Sequence, residues 1–390
     1  MTPETTRSRL VPMRPRDPHE PGRVASSLEL FFDLVFVIAV SVAGSQLHHA
    51  LSEKHIGNGV LSYLVVFFGI WWAWMNFTWF ATSFATDDWL YRLLTIVQMS
   101  GVLVLAAGIE RVFTDHDFRL VVLAYVVMRV AMVAQWLRAS HSAGSSRRAT
   151  LFYAGGIAIV QVLWLIMLVL PAPVQPVVLV VLVAAEISVP VVAERRGMTP
   201  WHPHHITERY SLFTLILLGE SLLASANAII EAVHDHEALG PLIALSVLTL
   251  VVTASLWWIY FWPPHHTAIT SLWRSLRYGY VHYFVFAAAG AFSAGIEVEI
   301  DSITHHTELS EVAASYTVTI PIAIFVLGIW WIALRDNADR VVNVVVPLGA
   351  VLVLLDPLIP VPFALTAVFM ALVVATLVLR PPVRRSAELG

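Results

Sequence analysis

The chain has 390 residues, of which 58% are hydrophobic and 13% are charged, and its mean hydropathy is +0.75. Soluble domains carry about 25% charged residues, so this composition excludes a soluble globular protein and indicates a chain that crosses a membrane many times. The sequence contains no cysteine, which excludes disulfides, thiol chemistry and cysteine-ligated metals. The net charge of -4 gives little information about the orientation or function of a membrane protein, because the side of the membrane on which charges lie matters more than their sum.

The first 25 residues form a basic segment that contains five arginines and several prolines. We expect a disordered N-terminal arm over residues 1–25, because such a composition buries little apolar surface. No small-residue cleavage site follows the first apolar run, so we expect that run to stay in the membrane as a helix.

Twelve apolar stretches are long enough to span a membrane, which takes about 20 mostly apolar residues. They lie at roughly 28–48, 60–84, 90–110, 118–138, 150–170, 175–194, 207–230, 240–262, 278–297, 312–334, 341–358 and 361–380. Short proline-containing turns separate the fifth from the sixth and the eleventh from the twelfth, and predict tight hairpins. The predicted fold is an all-α polytopic membrane protein with about 12 transmembrane helices.

The distribution of basic residues predicts the orientation. Of the 23 lysines and arginines, Lys54, Arg111 and Arg119 fall in loops on one side and Arg129 falls inside a span, which leaves 19 on the side of the N-terminus. Cytoplasmic loops of membrane proteins carry an excess of lysine and arginine. Both termini are therefore predicted to be cytoplasmic.

An internal repeat is predicted from two pairs of similar segments. Trp71–Trp74 resembles Trp257–Tyr260 at an offset of 186 residues, and Tyr91–Glu110 resembles Tyr278–Glu297 at an offset of 187. We therefore predict a six-helix repeat over residues 26–194, a cytoplasmic linker over 195–206, a second repeat over 207–380 and a tail over 381–390. Six helices per repeat make the two parallel, and sites in such folds usually lie between the halves near the middle of the membrane.

Two acids open the first span. Glu29 and Asp33 lie four residues apart and so share one helical face, which continues through Ser41 in an otherwise apolar helix. An acid in a membrane helix costs about 2.5 to 3.5 kcal/mol on insertion scales, so such residues usually face a protein interior or a wet cavity. We interpret this face as the lining of a pathway. The alternative is that Asp33 caps a helix or pairs with a neighbouring arginine to hold helices together.

Other polar residues lie within later spans. Ser211 and Glu220 give the seventh span a polarity like that of the first. Arg129 lies in the middle of the fourth span and should be paired, because a bare guanidinium in hydrocarbon is costly. Glu186, Glu220 and Asp33 are its candidate partners, and both a structural salt bridge and a transport role remain open.

Histidines are plentiful, and one of them lies in the middle of a span. His282 falls one turn after Tyr278, where we expect a role in proton handling. The spacings of the other histidines match no zinc signature such as His-Glu-x-x-His. We predict no metal site and no cofactor.

Five motifs together resemble a known family. They are Glu29–Phe36 (ELFFDLVF), Trp71–Thr78 (WWAWMNFT), Tyr91–Leu94 (YRLL), Glu208–Thr214 (ERYSLFT) and Leu218–Ser221 (LGES). This set resembles the bacterial low temperature requirement protein A family over roughly residues 23–380. The resemblance implies a multi-pass protein of the bacterial cytoplasmic membrane and supplies no chemistry.

A second resemblance concerns architecture. Two six-helix repeats and the Phe31-Phe32-Asp33 triplet are similar to the endolysosomal potassium channel family, which carries Phe-Ser-Asp in its first helices. Phe32 stands where that family has serine, and the seventh span has Tyr210-Ser211-Leu212 with no aspartate.

These observations lead to one expected function and two alternatives. We expect the protein to move a small solute or ion along a path lined by Glu29, Asp33, Ser41, Ser211 and Glu220, with Arg129 as a counter-charge. The alternatives are a membrane-embedded enzyme acting on lipid and a non-transporting scaffold or sensor for growth in the cold. No Gly-x-Ser-x-Gly, His-Glu-x-x-His or nucleotide-binding loop occurs, so we predict no catalytic residue. The expected partners are membrane lipids and the transported species, without nucleic acid, and a homo-oligomer is compatible with the sequence.

Overall fold

The structure, a computed structural model, describes residues 10–235, 239–359 and 363–383, and these residues form helices and connections without a β-strand. The helices within these ranges are α1 (Ser27–Ser52), α2 (Ile56–Phe84), α3 (Trp89–Asp115), α4 (Arg119–Ser140), α5 (Arg147–Met167), α6 (Gln175–Arg196), α7 (Pro203–Asp235), α8 (Leu239–Phe261), α9 (Leu272–Ile303), α10 (Glu311–Ile329), α11 (Arg340–Leu355) and α12 (Ala364–Leu379). Among the described residues, 11 helical segments, which correspond to α1 to α11, are long and apolar enough to cross a membrane, and α12 is a shorter apolar helix. The predicted all-α polytopic fold is confirmed.

Side-chain caps define where several helices begin. Asp88 accepts a hydrogen bond from the backbone N–H of Tyr91 at the start of α3, and Ser310 does the same for Ala313 at the start of α10. Such caps satisfy backbone donors that have no partner within the helix. The polar residues before these apolar runs therefore set the helix boundaries.

The part of the N-terminal arm that the structure describes contacts α2 and the start of α3. The backbone N–H of Arg16 donates to the carbonyl oxygen of Ser83 at 2.9 Å, and the N–H of Val11 donates to the Asp88 carboxylate at 3.0 Å. The side chain of Met13 is buried. The end of α2 and the start of α3 thus supply partners for residues 10–25, and the disorder of the arm stays a prediction. Residues 1–9 lie outside the described part of the chain.

The chain forms two compact units, each built from separate segments. Unit 1 comprises Met1–Ala39 and Trp72–Arg209, and unit 2 comprises Val40–Trp71 and Tyr210–Gly390. The unit boundaries fall within α1, α2 and α7. This grouping differs from the predicted segments 26–194 and 207–380, and the internal repeat stays a prediction. The predicted linker is short, because α6 ends at Arg196 and α7 begins at Pro203.

Unit 1 is built from helices that pack against their neighbours in the chain. Helix α3 packs against α4, α4 against α5, and α5 against α6. A glycine allows the close approach of α3 to α4, since a Cβ atom at Gly101 would lie 2.5 Å from Cγ of Met128 and 3.1 Å from the Ala124 carbonyl oxygen. Helices α4, α5 and α6 contribute the side chains of Arg129, Trp164 and Glu186 to a buried ion pair described below.

In unit 2, α9 packs against α10, α10 against α11, α11 against α12, and α12 against α8. The contact between α9 and α10 is close at Gly295, where a Cβ atom would lie 2.5 Å from the carbonyl oxygen of Thr317. Small residues at helix contacts are typical of membrane proteins, because the close approach of two backbones replaces the hydrophobic driving force that is missing in lipid.

Candidate functional site

The two acids of the first span are buried in unit 1 and share one arginine. Glu29 is 2% exposed and Asp33 is 1% exposed. Arg209 Nε lies 3.1 Å from Asp33 Oδ2, and Arg209 Nη2 lies 2.5 Å from Asp33 Oδ1. Trp74 Nε1 donates to the same Oδ1 atom at 2.6 Å. A forked arginine–carboxylate contact of this kind is among the strong hydrogen-bonded pairs in proteins.

Glu29 has a second role at the start of α1. Its Oε2 atom accepts hydrogen bonds from the backbone N–H and the hydroxyl of Ser26, both at 2.8 Å, and the Ser26 hydroxyl oxygen accepts one from the Glu29 N–H at 3.3 Å. This reciprocal arrangement is a capping box. The Ser-x-x-Glu spacing of this capping box is present in the sequence but was not among the predicted features.

The other carboxylate oxygen of Glu29 faces two basic side chains. Glu29 Oε1 lies 3.1 Å from Arg209 Nη1 and 3.3 Å from His205 Nε2. Among the described residues, Glu29 Oε1, Arg209 Nη1 and His205 Nδ1 make no hydrogen bond of good geometry. We call Glu29, Asp33, His205 and Arg209 the charge network.

Arg209 is the main member of this network that the sequence analysis missed. Arg209 was predicted to be one of the cytoplasmic arginines, whereas in the structure it is fully buried within α7. The sequence feature that could have indicated its burial is its position in an apolar segment, directly after Glu208. Asp33 thus forms the arginine pair that the sequence analysis left open as the alternative to a pathway-lining role.

A second buried ion pair in unit 1 identifies the partner of Arg129. Arg129 Nη2 lies 3.3 Å from Glu186 Oε2, so Glu186 is the one of its three candidate partners that meets it. Trp72 Nε1 donates to Glu186 Oε2 at 2.8 Å, and Trp164 Nε1 donates to Oε1 at 3.3 Å. The guanidinium also lies 5.2 Å from the centre of the Tyr125 ring, within the range of a cation–π contact.

The Trp71–Trp74 segment of α2 donates hydrogen bonds to the acids of both ion pairs. Trp72 donates to Glu186 and Trp74 donates to Asp33. Residues two apart on an α-helix point about 200° from each other, so one short motif places indole donors on opposite sides of α2. Both indole rings are fully buried.

The remaining predicted site residues belong to unit 2. The hydroxyl of Ser41 donates to Glu220 Oε2 at 2.7 Å, and both side chains are half-buried. Ser211 is also half-buried, on α7. The predicted path through these residues and those of unit 1 stays a prediction.

His282 lies fully buried in unit 2 among tyrosines. Its Nδ1 atom lies 2.8 Å from the carbonyl oxygen of Tyr278, and its Nε2 atom lies 3.2 Å from the hydroxyl of Tyr260. A carbonyl oxygen can only accept a hydrogen bond, so Nδ1 carries a hydrogen, and in the neutral ring Nε2 accepts from the Tyr260 hydroxyl. This geometry suits a neutral imidazole.

A second buried histidine lies in the connection between α8 and α9. His265 Nε2 donates to the carbonyl oxygen of Tyr260 at 2.6 Å, and its Nδ1 lies 3.0 Å from the Tyr278 hydroxyl. Burial lowers the pKa of His265 to about 4. Within the described part of the chain, no group of three or more histidine and acidic side chains is arranged to hold a metal ion.

The chain is similar in sequence to a known protein family and to a bacterial relative. The family model described as "Bacterial low temperature requirement A protein (LtrA)" matches residues 24–379, a range that encloses both buried ion pairs. A protein of Rhizobium meliloti (strain 1021), described as "Uncharacterized protein RA0937", is 29% identical over 247 residues. That alignment covers 61% of this chain and 58% of the relative, so the chain spans less than two thirds of the relative's length. The chain is therefore a multi-pass membrane protein that belongs to the bacterial low temperature requirement A family.

Proposed function

We propose that the protein moves a small solute or ion across the bacterial cytoplasmic membrane, with both termini on the cytoplasmic side. The observation that carries this proposal is the charge network, which lies within the membrane-spanning helices α1 and α7. Ionisable residues inside membrane helices are costly, and they commonly mark ion pathways and proton relays. The proposal assigns no catalytic residue to the chain.

A purely structural role accounts poorly for four ionisable side chains in one place. Replacing a buried ion pair by well-packed apolar residues is often neutral, or stabilises a protein by about 1 to 4 kcal/mol. Apolar side chains could therefore hold α1 to the start of α7 at least as well as Glu29, Asp33 and Arg209 do. Their presence in the membrane favours a role that needs charge.

The arrangement of the network suggests how it would act. Arg209 spans both acids, and its contact with Glu29 is close without good hydrogen-bonding geometry. We infer that a transported cation or proton competes with Arg209 for the carboxylates of Glu29 and Asp33. Because Asp33 is shielded from solvent, the geometry favours a carrier, whose site opens in turn to each side, over a permanently open channel.

The test is a flux measurement on the purified full-length protein in liposomes under potassium, sodium and proton gradients. The variant Asp33→Asn removes one charge and keeps an oxygen that can accept from Trp74. Its matched control is Asp115→Asn, the same chemical change at an exposed position near the end of α3. Size-exclusion profiles and thermal unfolding establish that both variants are folded.

Three outcomes decide the proposal. Dissipation of one gradient that Asp33→Asn abolishes and Asp115→Asn preserves supports transport through the charge network and names the ion. Equal flux in both variants removes Asp33 from the mechanism. No flux under any gradient overturns ion movement, and assays of organic-solute uptake, lipid turnover and binding partners would follow.

A further inference from the structure

A cleft of about 810 Å³ lies in unit 1, where the N-terminal arm meets the first turns of α1 and α3. Cavities of this size hold small ligands in other proteins. Three arginines contribute to its wall, namely Arg16 and Arg23 of the arm and Arg92 of α3. The cleft is distinct from the ion pairs of the charge network, although Glu29, a member of that network, also lies in the wall of the cleft.

Two of the three arginines are already neutralised. Arg16 Nη2 lies 2.6 Å from Glu20 Oε2, and Arg92 Nη2 lies 2.5 Å from Asp87 Oδ1. The acids in the cleft wall are therefore committed to neighbouring cations and would not repel an anionic group strongly.

The side chain of Arg23 contacts backbone carbonyl groups, whereas those of Arg16 and Arg92 contact carboxylates. Its Nη1 and Nη2 atoms donate to the backbone carbonyl oxygens of Thr82 and Ala81, at 2.5 and 3.0 Å. A guanidinium has five N–H donors, so these contacts fix the side chain and leave donors for another partner. Burial, together with the neighbouring Arg16, lowers the pKa of Arg23 to about 10. An anion in the cleft would relieve this unfavourable environment.

Tyr91 supplies an independent sign of a ligand. It lines the cleft, is 3% exposed, and its hydroxyl has no hydrogen-bond partner among the residues that the structure describes. Buried hydroxyl groups in proteins almost always have a partner, because an unmade hydrogen bond is costly. A ligand oxygen in the cleft would provide one.

The cleft also continues onto the surface that faces lipid. Phe31 of α1 and Ile96 of α3 line it, and they are 52% and 49% exposed on helices that span the membrane. Large exposed apolar side chains on such helices contact acyl chains. The cleft therefore combines polar donors at the helix ends with an apolar wall, the pattern that an amphiphile requires.

We propose that this cleft binds the phosphodiester headgroup of a membrane phospholipid, with Arg23 and the Tyr91 hydroxyl donating to phosphate oxygens and the acyl chains lying along Phe31 and Ile96. Basic pockets at the ends of membrane helices bind phosphate-bearing headgroups in this way, and arginine is well suited to phosphate oxygens. Inorganic phosphate shares the headgroup chemistry, but it would leave the apolar wall unused.

The experiment uses delipidated full-length protein in detergent, with binding followed by native mass spectrometry and by thermal unfolding. The probes are dioleoylphosphatidylglycerol, dioleoylphosphatidylethanolamine, dioleoylglycerol and inorganic phosphate. We expect both phospholipids to bind and to raise the unfolding temperature, and the other two probes to do neither. Binding of dioleoylglycerol at the phospholipid affinity would overturn the headgroup assignment, and an equal shift with phosphate alone would overturn the lipid assignment.

Three variants place the binding in the cleft. Tyr91→Phe removes a hydroxyl that makes no hydrogen bond within the described residues, so the lipid-free protein should unfold at the same or a higher temperature. Phospholipid affinity should nevertheless fall about tenfold, the value of one hydrogen bond to a charged group. Arg23→Gln should weaken binding at least as much, whereas Arg119→Gln, at an exposed arginine that begins α4, should not. Wild-type affinity in Tyr91→Phe would overturn the proposed contact.

Discussion

The guanidinium of Arg209 holds the carboxylate of Asp33 through two contacts, 3.1 Å from Nε to Oδ2 and 2.5 Å from Nη2 to Oδ1. The contact joins α1 to the start of α7, although 176 residues separate the two positions. Arg209 Nη1 also lies 3.1 Å from Glu29 Oε1. The guanidinium of Arg209 therefore balances the charges of two buried carboxylates. The consequences of removing an acid and of removing the arginine should therefore differ.

We expect Arg209→Gln to destabilise the protein by about 3 to 5 kcal/mol, because it leaves two buried carboxylates without their cation. Asp33→Asn should cost less, since Glu29 and Arg209 then remain as a balanced pair. Thermal and denaturant unfolding in detergent would measure both changes, with Asp115→Asn as the control. Equal losses for Arg209→Gln and Asp33→Asn would contradict the shared-cation arrangement.

The indole donor of Trp72 should matter for the second ion pair. Trp72→Phe keeps an aromatic ring and removes the hydrogen bond to Glu186, which as a bond to a charged group contributes about 1.5 to 3 kcal/mol. We expect a loss of that size in unfolding experiments. Trp257→Phe, at an exposed tryptophan, should change stability little. If both variants unfold alike, the Trp72 hydrogen bond contributes nothing measurable.

His265 should make stability depend on pH. Burial lowers its pKa in the folded protein to about 4 from the ordinary value of 6.5, so the unfolded chain takes up the proton first as the pH falls. The stabilising contribution is complete above pH 6.5 and is lost as the pH falls towards 4, by about 3 kcal/mol in total. Unfolding measured from pH 7.5 to 4 should show this slope in the wild type. His265→Gln should flatten it, and an unchanged slope would assign the pH dependence to other groups.

Asp88 should hold the N-terminal arm in place. Burial alone would raise its pKa, but hydrogen bonds from Arg138 and from the backbone N–H groups of Tyr91 and Val11 outweigh burial and hold the pKa below its usual range. The contribution is present above the ordinary aspartate pKa and is lost as the pH falls through the lowered value. Asp88→Asn should weaken these contacts at neutral pH and expose the arm.

Limited trypsin digestion would measure that exposure at the Arg16–Asp17 bond, which lies within the arm, because trypsin does not cleave the Arg14–Pro15 bond. Cleavage there should be several-fold faster in Asp88→Asn than in the wild type, because opening of the arm controls access of the protease. The adjacent Asp87→Asn is the matched control, since its exposed side chain contacts Arg92 and not the arm. Equal cleavage in the two variants would show that Asp88 does not anchor the arm.

Some of the site could be predicted from local sequence and some could not. The i, i+4 spacing placed Glu29 and Asp33 on one helical face, and both are buried together. The Ser26-x-x-Glu29 capping box was equally readable and was missed. The partner of Arg129 could not be chosen, because Glu186, Glu220 and Asp33 were all at compatible depths in their spans, and depth does not say which helices are neighbours.

The all-α, multi-pass class follows from the amino-acid sequence alone, because apolar runs of spanning length need only composition and period to be recognised, and five motifs indicate the family. The sequence also placed acids and an arginine inside the membrane, where they must find partners. The packing of the helices was needed to show that Arg209 is buried, that Glu186 contacts Arg129, and that Asp88 contacts the arm. The physical reason is that a charge pair forms between helices far apart in the chain, and its energy depends on distances of a few ångströms that no local pattern contains.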